Sequence, residues 1–363
     1  MWLPNLLRLP VQVSGQQRQW VSVHMFIFLL FIFSGTTRAE PPEVRFFNWS
    51  DYLPEEILDR FTAETGIRVR YSTYDSNEAM YAKIKLLQGQ GYDLAMPSTY
   101  YVDRMRKEGL LQPLDRTQLP GFKNLDPRLL DKPFDPGNVY SIPYLWGSTG
   151  IVINTDKIDP AKVRAWADLW RPEFKQSLLL TNDMREVFFI GLRMLGYSGN
   201  STDPGQIRQA YAKLQQLMPN VRLFNSDSPQ VLYITGEVDA GMIWNGNAYR
   251  AHKEDSKLRY IYPAEGCLLW MDNLVILKGA KNQAHAHRLL DFLLRADIAK
   301  NIAETLSYAS PNAEAVKLMD AGLRQNPVIY PPDDLIKNGE YTLDIGAATP
   351  TYVDYWEKLR SGE

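Results

Sequence analysis

The carboxylates best suited to holding a cation lie in two short segments. In "TNDMREVFF", Asp183 and Glu186 are three residues apart where a helix is predicted to begin. This spacing suits a helix N-cap with its reciprocal acid, and it also suits a carboxylate pair that faces a cleft and holds an ammonium group. In "CLLWMDNLVIL" (Cys267–Leu277), Asp272 interrupts an apolar strand. A buried charge needs a partner, which could be an internal arginine, a backbone turn or an external cation.

Aromatic side chains accompany these acids near the predicted strand ends. Trp270 is two residues from Asp272, so the two side chains share one face of a strand. An aromatic face attracts a cation by about 0.5–2 kcal/mol. The other aromatics in this position are Trp49, Tyr52, Tyr100 and Trp244. Aromatic walls with separated carboxylates would suit a long, flexible cation whose methylene groups lie between its nitrogens.

The elements that position these residues alternate between strand and helix. The first half reads β-α-β-α-β, with strands at Val44–Asn48, Ile67–Thr73 and "YDLAMP" and helices at Pro54–Thr65, Asn77–Gln88 and "VDRMRKEG". The second half has predicted strands at "SLLLT", "VRLFN" and "AGMIW". Between the halves, "FDPGNVYSIPY" is predicted to be a loop and "GIVIN" a strand that crosses from one lobe to the other. This order predicts parallel sheets with right-handed crossovers.

The predicted fold class is therefore α/β with two lobes. Ligands bind outside the carboxyl ends of parallel strands. Trp49–Tyr52 and Ser98–Tyr101 follow strands of the first lobe. Asp183, Ser226 and Trp244 follow strands of the second. If the two edges face each other, these residues converge on one cleft.

Composition restricts the possible functions. The 363 residues are 45% hydrophobic and 23% charged, which is ordinary for a soluble globular protein. Residues 1–39 resemble a secretory signal peptide: basic residues precede "MFIFLLFIF", and small residues surround Ala39. The alternative, a membrane anchor, needs a longer apolar run. Cleavage near Ala39 would remove three of the 40 basic residues and no acid, giving a net charge of −5. This charge disfavours nucleic acid as a partner.

Other kinds of site find little support. The single cysteine, Cys267, allows no intramolecular disulfide. His285 and His287 point to different faces of a predicted helix, so no metal site is expected, and no cofactor or nucleotide motif is present. A secreted hydrolase that uses Asp183 and Asp272 as a carboxylate pair is the alternative from another class. Another is the same fold with a different cationic amine or a small peptide as its cargo. The candidate residues are rich in carboxylates and poor in arginine, which disfavours an anion.

From about Val44 to the C-terminus, the chain resembles the spermidine/putrescine-binding proteins of bacterial polyamine ABC importers, and within them the spermidine-preferring type. The similarity is carried by "NWSDY", "TYDSNEAMYAK", "PSTYYVDRMRKEG", "NLDPRLLDKPFDPGN", "YSIPYLWGSTG", "LLLTNDMREVF", "LMPNVRLFNSD", "GMIWNG" and "WMDN". The resemblance implies a two-lobed, type II-like periplasmic binding protein, with a mainly parallel central sheet flanked by helices in each lobe. It also implies lobes formed by residues 40–148 plus about 272–316 and by 149–271 plus about 317–363.

The resemblance further implies a polyamine ligand, membrane permease subunits as partners, a periplasmic location and a monomeric protein without catalytic residues, metal or cofactor. The implied ligand-contacting residues are Trp49, Ser50, Asp51, Tyr52, Ser98, Tyr100, Asp183, Glu186, Ser226, Trp244, Trp270, Asp272, Tyr308 and Thr342. Two positions depart from the spermidine-preferring type. Ser50–Asp51 replaces Thr-Glu, as in the putrescine-preferring relative, and Thr342 replaces a glutamine.

Overall fold

The structure, a computed structural model, describes residues 41–50 and 52–362. The predicted signal peptide, residues 1–39, and the predicted ligand residue Asp51 therefore lie outside the described residues. The strands are β1 (Glu43–Trp49), β2 (Arg68–Tyr74), β3 (Leu94–Ala95), β4 (Ser141–Asn154), β5 (Leu178–Leu180), β6 (Val221–Phe224), β7 (Ala240–Trp244), β8 (Leu258–Ile261), β9 (Leu268–Ile276) and β10 (Glu340–Tyr341).

Thirteen α-helices within the described residues accompany these strands. They are α1 (Glu55–Thr65), α2 (Asn77–Leu86), α3 (Thr99–Lys107), α4 (Met184–Met194), α5 (Pro204–Leu217), α6 (Pro229–Ile234), α7 (Asn245–Glu254), α8 (Gln283–Leu293), α9 (Ala296–Leu306), α10 (Ala313–Leu318), α11 (Ala321–Arg324), α12 (Asp333–Ile336) and α13 (Thr349–Ser361). In this part of the chain, no helix has the length and apolar character that crossing a membrane requires.

The strands form one mixed sheet in the order β2-β1-β3-β9-β4-β7-β5-β6, with β10 paired to β9 and β8 to β4. The two outer groups, β2-β1-β3 and β7-β5-β6, are parallel, as the alternation of strand and helix predicts. The two central strands, β4 and β9, run antiparallel to each other and to their outer neighbours. This central pair joins the two parallel groups.

The loop predicted for "FDPGNVYSIPY" is only partly correct. Ser141–Tyr144 belong to the long strand β4, which pairs with β9 and shifts register between Pro143 and Leu145. Proline lacks an amide proton and is found in sheets mainly at edges or irregularities. The register shift accommodates Pro143 within a paired strand, which local turn signals could not reveal.

Strand β9 is one of the two central strands of the sheet, and all nine of its residues are buried. Helices and neighbouring strands cover both of its faces, which explains the almost continuous apolar run in its sequence. Asp272 is thus a carboxylate within a strand whose residues are all buried.

Candidate functional site

Asp272 receives two hydroxyl hydrogen bonds from separate parts of the chain. Tyr52 Oη donates to Asp272 Oδ2 at 2.8 Å, and Ser98 Oγ donates to Asp272 Oδ1 at 2.6 Å. Burial raises the pKa of Asp272 to about 6, while these two donors oppose the rise. Within residues 41–50 and 52–362, no lysine or arginine forms an ion pair with this carboxylate. Its internal partners are therefore hydroxyls, and its charge is not neutralised by the described chain.

A group of aromatic rings surrounds the Asp272 carboxylate. The ring of Tyr308 lies 5.2 Å from that of Trp270 at 82°, and 6.1 Å from that of Tyr52, measured between centroids. Tyr144 packs edge-on against Tyr52 at 5.6 Å, and its hydroxyl donates to the Tyr52 carbonyl oxygen at 2.8 Å. These contacts hold Tyr52 in the position from which it donates to Asp272.

Gly147 creates the space that Trp270 occupies. The two residues are opposite each other in the β4–β9 ladder. A Cβ atom at position 147 would overlap the indole ring of Trp270 and the side-chain oxygen of Asn245. A residue without a side chain is thus required here so that the tryptophan can lie against β4.

Asp183 and Glu186 have different roles in the structure: Asp183 caps a helix, and the Glu186 side chain contacts Thr149 and Trp244. Asp183 Oδ1 accepts a hydrogen bond from the Glu186 backbone amide at 3.0 Å and so caps α4. The Glu186 carboxylate turns away from the cap: its Oε1 accepts from Thr149 Oγ1 and Trp244 Nε1, each at 3.0 Å. Its Oε2 is buried and has no hydrogen-bond partner among the described residues.

Glu186 is consequently a buried acid with an unused acceptor. Burial, and then the charge of Asp183, raises the pKa of Glu186 to about 8. Burial also raises the pKa of Asp183. Tyr308 packs against Trp270 and Tyr52. Its hydroxyl donates to Asn247 Oδ1 in the first turn of α7, the helix that directly follows Trp244. Aromatic residues therefore contact both acids: Tyr52 donates to Asp272, and Trp244 donates to Glu186.

Trp49 and Ser50, the predicted site residues at the end of β1, are each held by contacts with other parts of the chain. Trp49 Nε1 donates to the Met96 carbonyl oxygen at 3.0 Å, and its ring lies 4.8 Å from that of Tyr74. Ser50 Oγ donates to Asp75 Oδ1 at 3.0 Å, near the solvent. The Ser50 hydroxyl is thus directed to a surface carboxylate and away from Asp272.

Three further predicted residues are held by hydrogen bonds to their neighbours. The Tyr100 hydroxyl accepts from Asn77 Nδ2 at 3.3 Å, and Ser226 Oγ accepts from the Asn182 backbone amide at 2.9 Å. The Thr342 carbonyl oxygen accepts from Thr99 Oγ1 at 2.7 Å, and the two threonine hydroxyls are 3.2 Å apart. Thr342 therefore contacts the first turn of α3, directly after Ser98.

Arg185 is a buried cation that the sequence patterns did not single out. Its side chain is 2% exposed, and its guanidinium carbon lies 5.5 Å from the centroid of the Tyr100 ring. It donates to the Leu343 carbonyl oxygen at 2.8 Å and to Asn200 Oδ1 at 3.0 Å. The site is therefore not free of arginine. The sequence signal that could have revealed Arg185 was its position between the two acids of "NDMREV".

Asn77 and Tyr144 were also missed. Asn77 is 4% exposed and contacts both Ser98 and Tyr100. Its only local signal was its place at the start of a predicted helix. Tyr144 lay in the segment predicted to be a loop, so a buried supporting role was not expected. Among the described residues, no group of three or more histidine, cysteine, aspartate or glutamate side chains is arranged to hold a metal ion.

The sequence matches the family described as bacterial extracellular solute-binding protein over residues 56–328. The chain belongs to this family.

Two curated relatives and one solved structure place it more closely within the family. It is 53% identical over 317 residues to the spermidine/putrescine-binding periplasmic protein of Escherichia coli (strain K12), covering 87% of this chain and 91% of the relative. It is 32% identical over 372 residues to the putrescine-binding periplasmic protein PotF of the same organism, covering 97% and 100%. The putative spermidine/putrescine ABC transporter from Listeria monocytogenes superimposes with a TM-score of 0.85 at 37% identity, covering 88% and 99%.

These similarities confirm the fold class predicted from the sequence. This solute-binding protein has the two-lobed α/β fold of periplasmic binding proteins, with a mixed sheet flanked by helices. The proposed residue boundaries of the lobes stay a prediction.

Proposed function

We propose that this solute-binding protein captures spermidine or putrescine outside the cytoplasm and delivers it to the membrane permease of an ABC importer. The observation that carries the proposal is the environment of Asp272: a buried carboxylate with two hydroxyl donors, beside aromatic rings, and with no cationic partner in the described chain. A bound ammonium group would supply the missing charge. The names of the relatives, which specify spermidine and putrescine, support the same ligand class.

In this proposal the ligand extends from Glu186 through Asp272 toward Asp51. Asp183 and Glu186 hold one terminal ammonium, because Glu186 Oε2 has no partner among the described residues. Asp272 holds the internal or central nitrogen, and Asp51 holds the far end. The rings of Trp49, Trp244, Trp270 and Tyr308 cover the methylene groups, which gain from leaving water.

The protein acts in this role without chemistry of its own. A glycosidase needs one carboxylic acid and one carboxylate on opposite sides of a sugar bond. Here the donors on Asp272 favour its ionised form, and the capping bond of Asp183 occupies one of its oxygens. Asp272 is thus arranged to attract a cation while Asp183 caps a helix, and the relatives are named as binding proteins. This favours transport over the hydrolase alternative.

The decisive experiment is isothermal titration calorimetry with putrescine, spermidine and spermine. We expect one molecule of spermidine or putrescine to bind per protein, and mass spectrometry to recover the ligand unchanged. Absence of binding by all three amines at micromolar concentration would refute the proposal. Binding of a different amine alone would keep the fold and change the cargo, and conversion of the ligand would favour an enzyme.

We also propose that the mature protein is a periplasmic monomer from which residues 1–39 have been removed. The lobes would comprise residues 40–148 plus about 272–316 and residues 149–271 plus about 317–363, and neither a cofactor nor nucleic acid would take part. The periplasmic relatives and the apolar segment before Ala39 support this location. Intact-mass measurement of protein recovered from the periplasm gives the cleavage site, and light scattering gives the oligomeric state.

A further inference from the structure

Asn77 is bonded to Ser98 through both atoms of its amide group. Its Oδ1 accepts a hydrogen bond from the Ser98 backbone amide at 3.1 Å, and its Nδ2 donates to Ser98 Oγ at 3.1 Å. The same Nδ2 donates to the Tyr100 hydroxyl at 3.3 Å. Asn77 is the first residue of α2, its side chain is 4% exposed, and Ser98 immediately precedes α3.

The backbone amide of Ser98 determines how this network is oriented. A backbone N–H can only donate, so the Asn77 atom that faces it must be the oxygen, and the nitrogen must face Ser98 Oγ. Ser98 Oγ is then an acceptor toward Asn77. Its single proton remains for Asp272 Oδ1, which lies 2.6 Å away.

We propose that Asn77 is a positioning residue for cation capture, because it directs the Ser98 hydroxyl proton to Asp272 and so keeps that buried carboxylate charged for an ammonium group. This inference rests on the proposed function, since it concerns how the same site holds its ligand. Asn77 acts through Ser98 and need not contact the ligand. It lies one residue after Ser76, whose side chain caps α2, so the network is fixed to the start of a helix.

The surroundings of Asp272 make this single proton important. Besides burial, the charge of Asp272 raises the pKa of four tyrosine hydroxyls on the adjoining elements, those of Tyr52, Tyr74, Tyr144 and Tyr308. Arg250 lies over the Tyr308 ring, 5.9 Å from its centroid, and donates to the Leu306 carbonyl oxygen and not to Asp272. Of the four tyrosines, Tyr52 donates to Asp272 directly. The Tyr74 and Tyr144 hydroxyls are directed to the carbonyl oxygens of Met96 and Tyr52. Ser98 is thus one of only two donors that the described chain provides to this carboxylate.

A double-mutant cycle with Asn77→Ala and Ser98→Ala tests the proposal by calorimetry with spermidine. Asn77→Ala is expected to weaken binding about 5- to 20-fold in the presence of Ser98, because the Ser98 hydroxyl loses the amide that directs its proton to the buried charge of Asp272. In the Ser98→Ala protein, the same substitution is expected to change the affinity less than about twofold. Full, additive effects of the two substitutions would overturn the proposal, because Asn77 would then act independently of Ser98.

The pH profile distinguishes proton direction from a general structural role. When the Ser98 hydroxyl no longer donates to Asp272, the Asp272 carboxyl takes up its proton at higher pH. The ratio of the Asn77→Ala dissociation constant to that of the wild type should therefore grow as the pH falls from about 8.5 to about 6. A constant ratio over this range would indicate structural loss only and would contradict the proposal.

Asn220→Ala serves as the matched control. Asn220 is also buried and donates two hydrogen bonds, to the Leu169 and Arg171 carbonyl oxygens, but it lies at the amino end of β6, away from the site. We expect Asn220→Ala to lower the melting temperature and to leave the affinity unchanged. Titration of the wild-type protein separates the two hypotheses. If it binds none of the amines, the proposed function fails, whereas wild-type binding with an additive cycle refutes only the role of Asn77.

Discussion

The hydroxyl of Tyr52 donates a hydrogen bond of 2.8 Å to Asp272 Oδ2, although the two residues are 220 positions apart in the sequence. Tyr52 follows β1, and Asp272 lies within β9, with β3 between these strands in the sheet. Together with Ser98, Tyr52 gives Asp272 donors that favour its ionised form without neutralising it. The buried carboxylate can therefore gain further stabilisation from a cationic ligand.

Asp272→Asn should weaken spermidine binding at least about tenfold, since hydrogen bonds to charged groups contribute about 1.5–3 kcal/mol. Calorimetry measures the affinity, and circular dichroism checks that the variant is folded. Asp239→Asn is a suitable control, because Asp239 precedes β7 at its amino end and pairs with Lys157. An unchanged affinity in folded Asp272→Asn would remove this residue from the site.

Affinity for polyamines should fall as the solution becomes more acidic. The ligand binds the ionised carboxylates, and the pKa values of Glu186 and Asp272 are about 8 and about 6. Lowering the pH from about 8.5 to about 6 protonates first Glu186 and then part of Asp272, whereas alkylammonium groups with pKa values near about 10 stay charged. We expect affinity to decrease about tenfold or more over this range. At about pH 7, binding should release protons, which titrations in phosphate and Tris buffers would detect as different apparent enthalpies.

The Glu186 carboxyl should lower the stability of the ligand-free protein at high pH. Its pKa is about 8 in the folded protein, against the ordinary glutamate value of 4.5 in the unfolded chain, so folding binds its proton. Its stabilising contribution is complete below about pH 4.5 and is lost as the pH rises through about 8. Between about pH 6 and about pH 9, the melting temperature of the wild type should therefore fall by about 1–3 °C more than that of Glu186→Gln.

The same substitution should weaken ligand binding, because glutamine carries no negative charge. Glu237→Gln provides a control at an exposed position, where the ion pair with Arg222 contributes little. Identical slopes of melting temperature against pH for wild type and Glu186→Gln would show that Glu186 does not titrate in this range.

The sequence predicted much of the fold near the site, because the local signals agreed with one another. Pro54 precedes α1, two acids occupy its first turn, and Gly66 follows it in the left-handed conformation that ends the helix. The repetition of such units predicted the parallel strands, and it placed the candidate ligand residues at the carboxyl ends of those strands. Asp272 was recognised because a single charge interrupted an apolar strand.

The remaining features depend on contacts between distant segments. Ser141–Tyr144 form a strand because they pair with β9. The local sequence signals, a proline and an upstream turn, favoured a loop instead. From the sequence alone, Asn77 is an ordinary residue at the start of a helix. Its role becomes visible only in the structure, where it bonds to Ser98, 21 positions later. Likewise, nothing in the spacing of Asp183 and Glu186 could reveal that one caps the helix while the other faces Trp244.

Gly147→Ala should disturb the aromatic part of the site. The added methyl group would overlap Trp270 and the side-chain oxygen of Asn245, and overpacking of this kind costs about 1–3 kcal/mol. We expect a lower melting temperature, altered tryptophan fluorescence and at least about a tenfold loss of spermidine affinity. Gly205→Ala is the control, because its new methyl group would meet only the Asp203 carboxylate at 3.0 Å, in the first turn of α5. Normal affinity in Gly147→Ala would show that the position of Trp270 is unimportant for binding.

Thr342→Gln should increase the preference for spermidine over putrescine. Thr342 is buried against Thr99 in the first turn of α3, beside the Ser98–Asp272 contact. The resemblance to the spermidine-preferring type implies a glutamine in that type at this position. A glutamine carbonyl reaches farther than a threonine hydroxyl and could accept a hydrogen bond from the internal ammonium of spermidine, which putrescine lacks. One such bond corresponds to about a threefold or larger rise in the ratio of the two affinities. Thr342→Val, which keeps the shape of threonine but adds no acceptor, should leave the ratio unchanged. Equal ratios in wild type, Thr342→Gln and Thr342→Val would exclude this position from ligand selection.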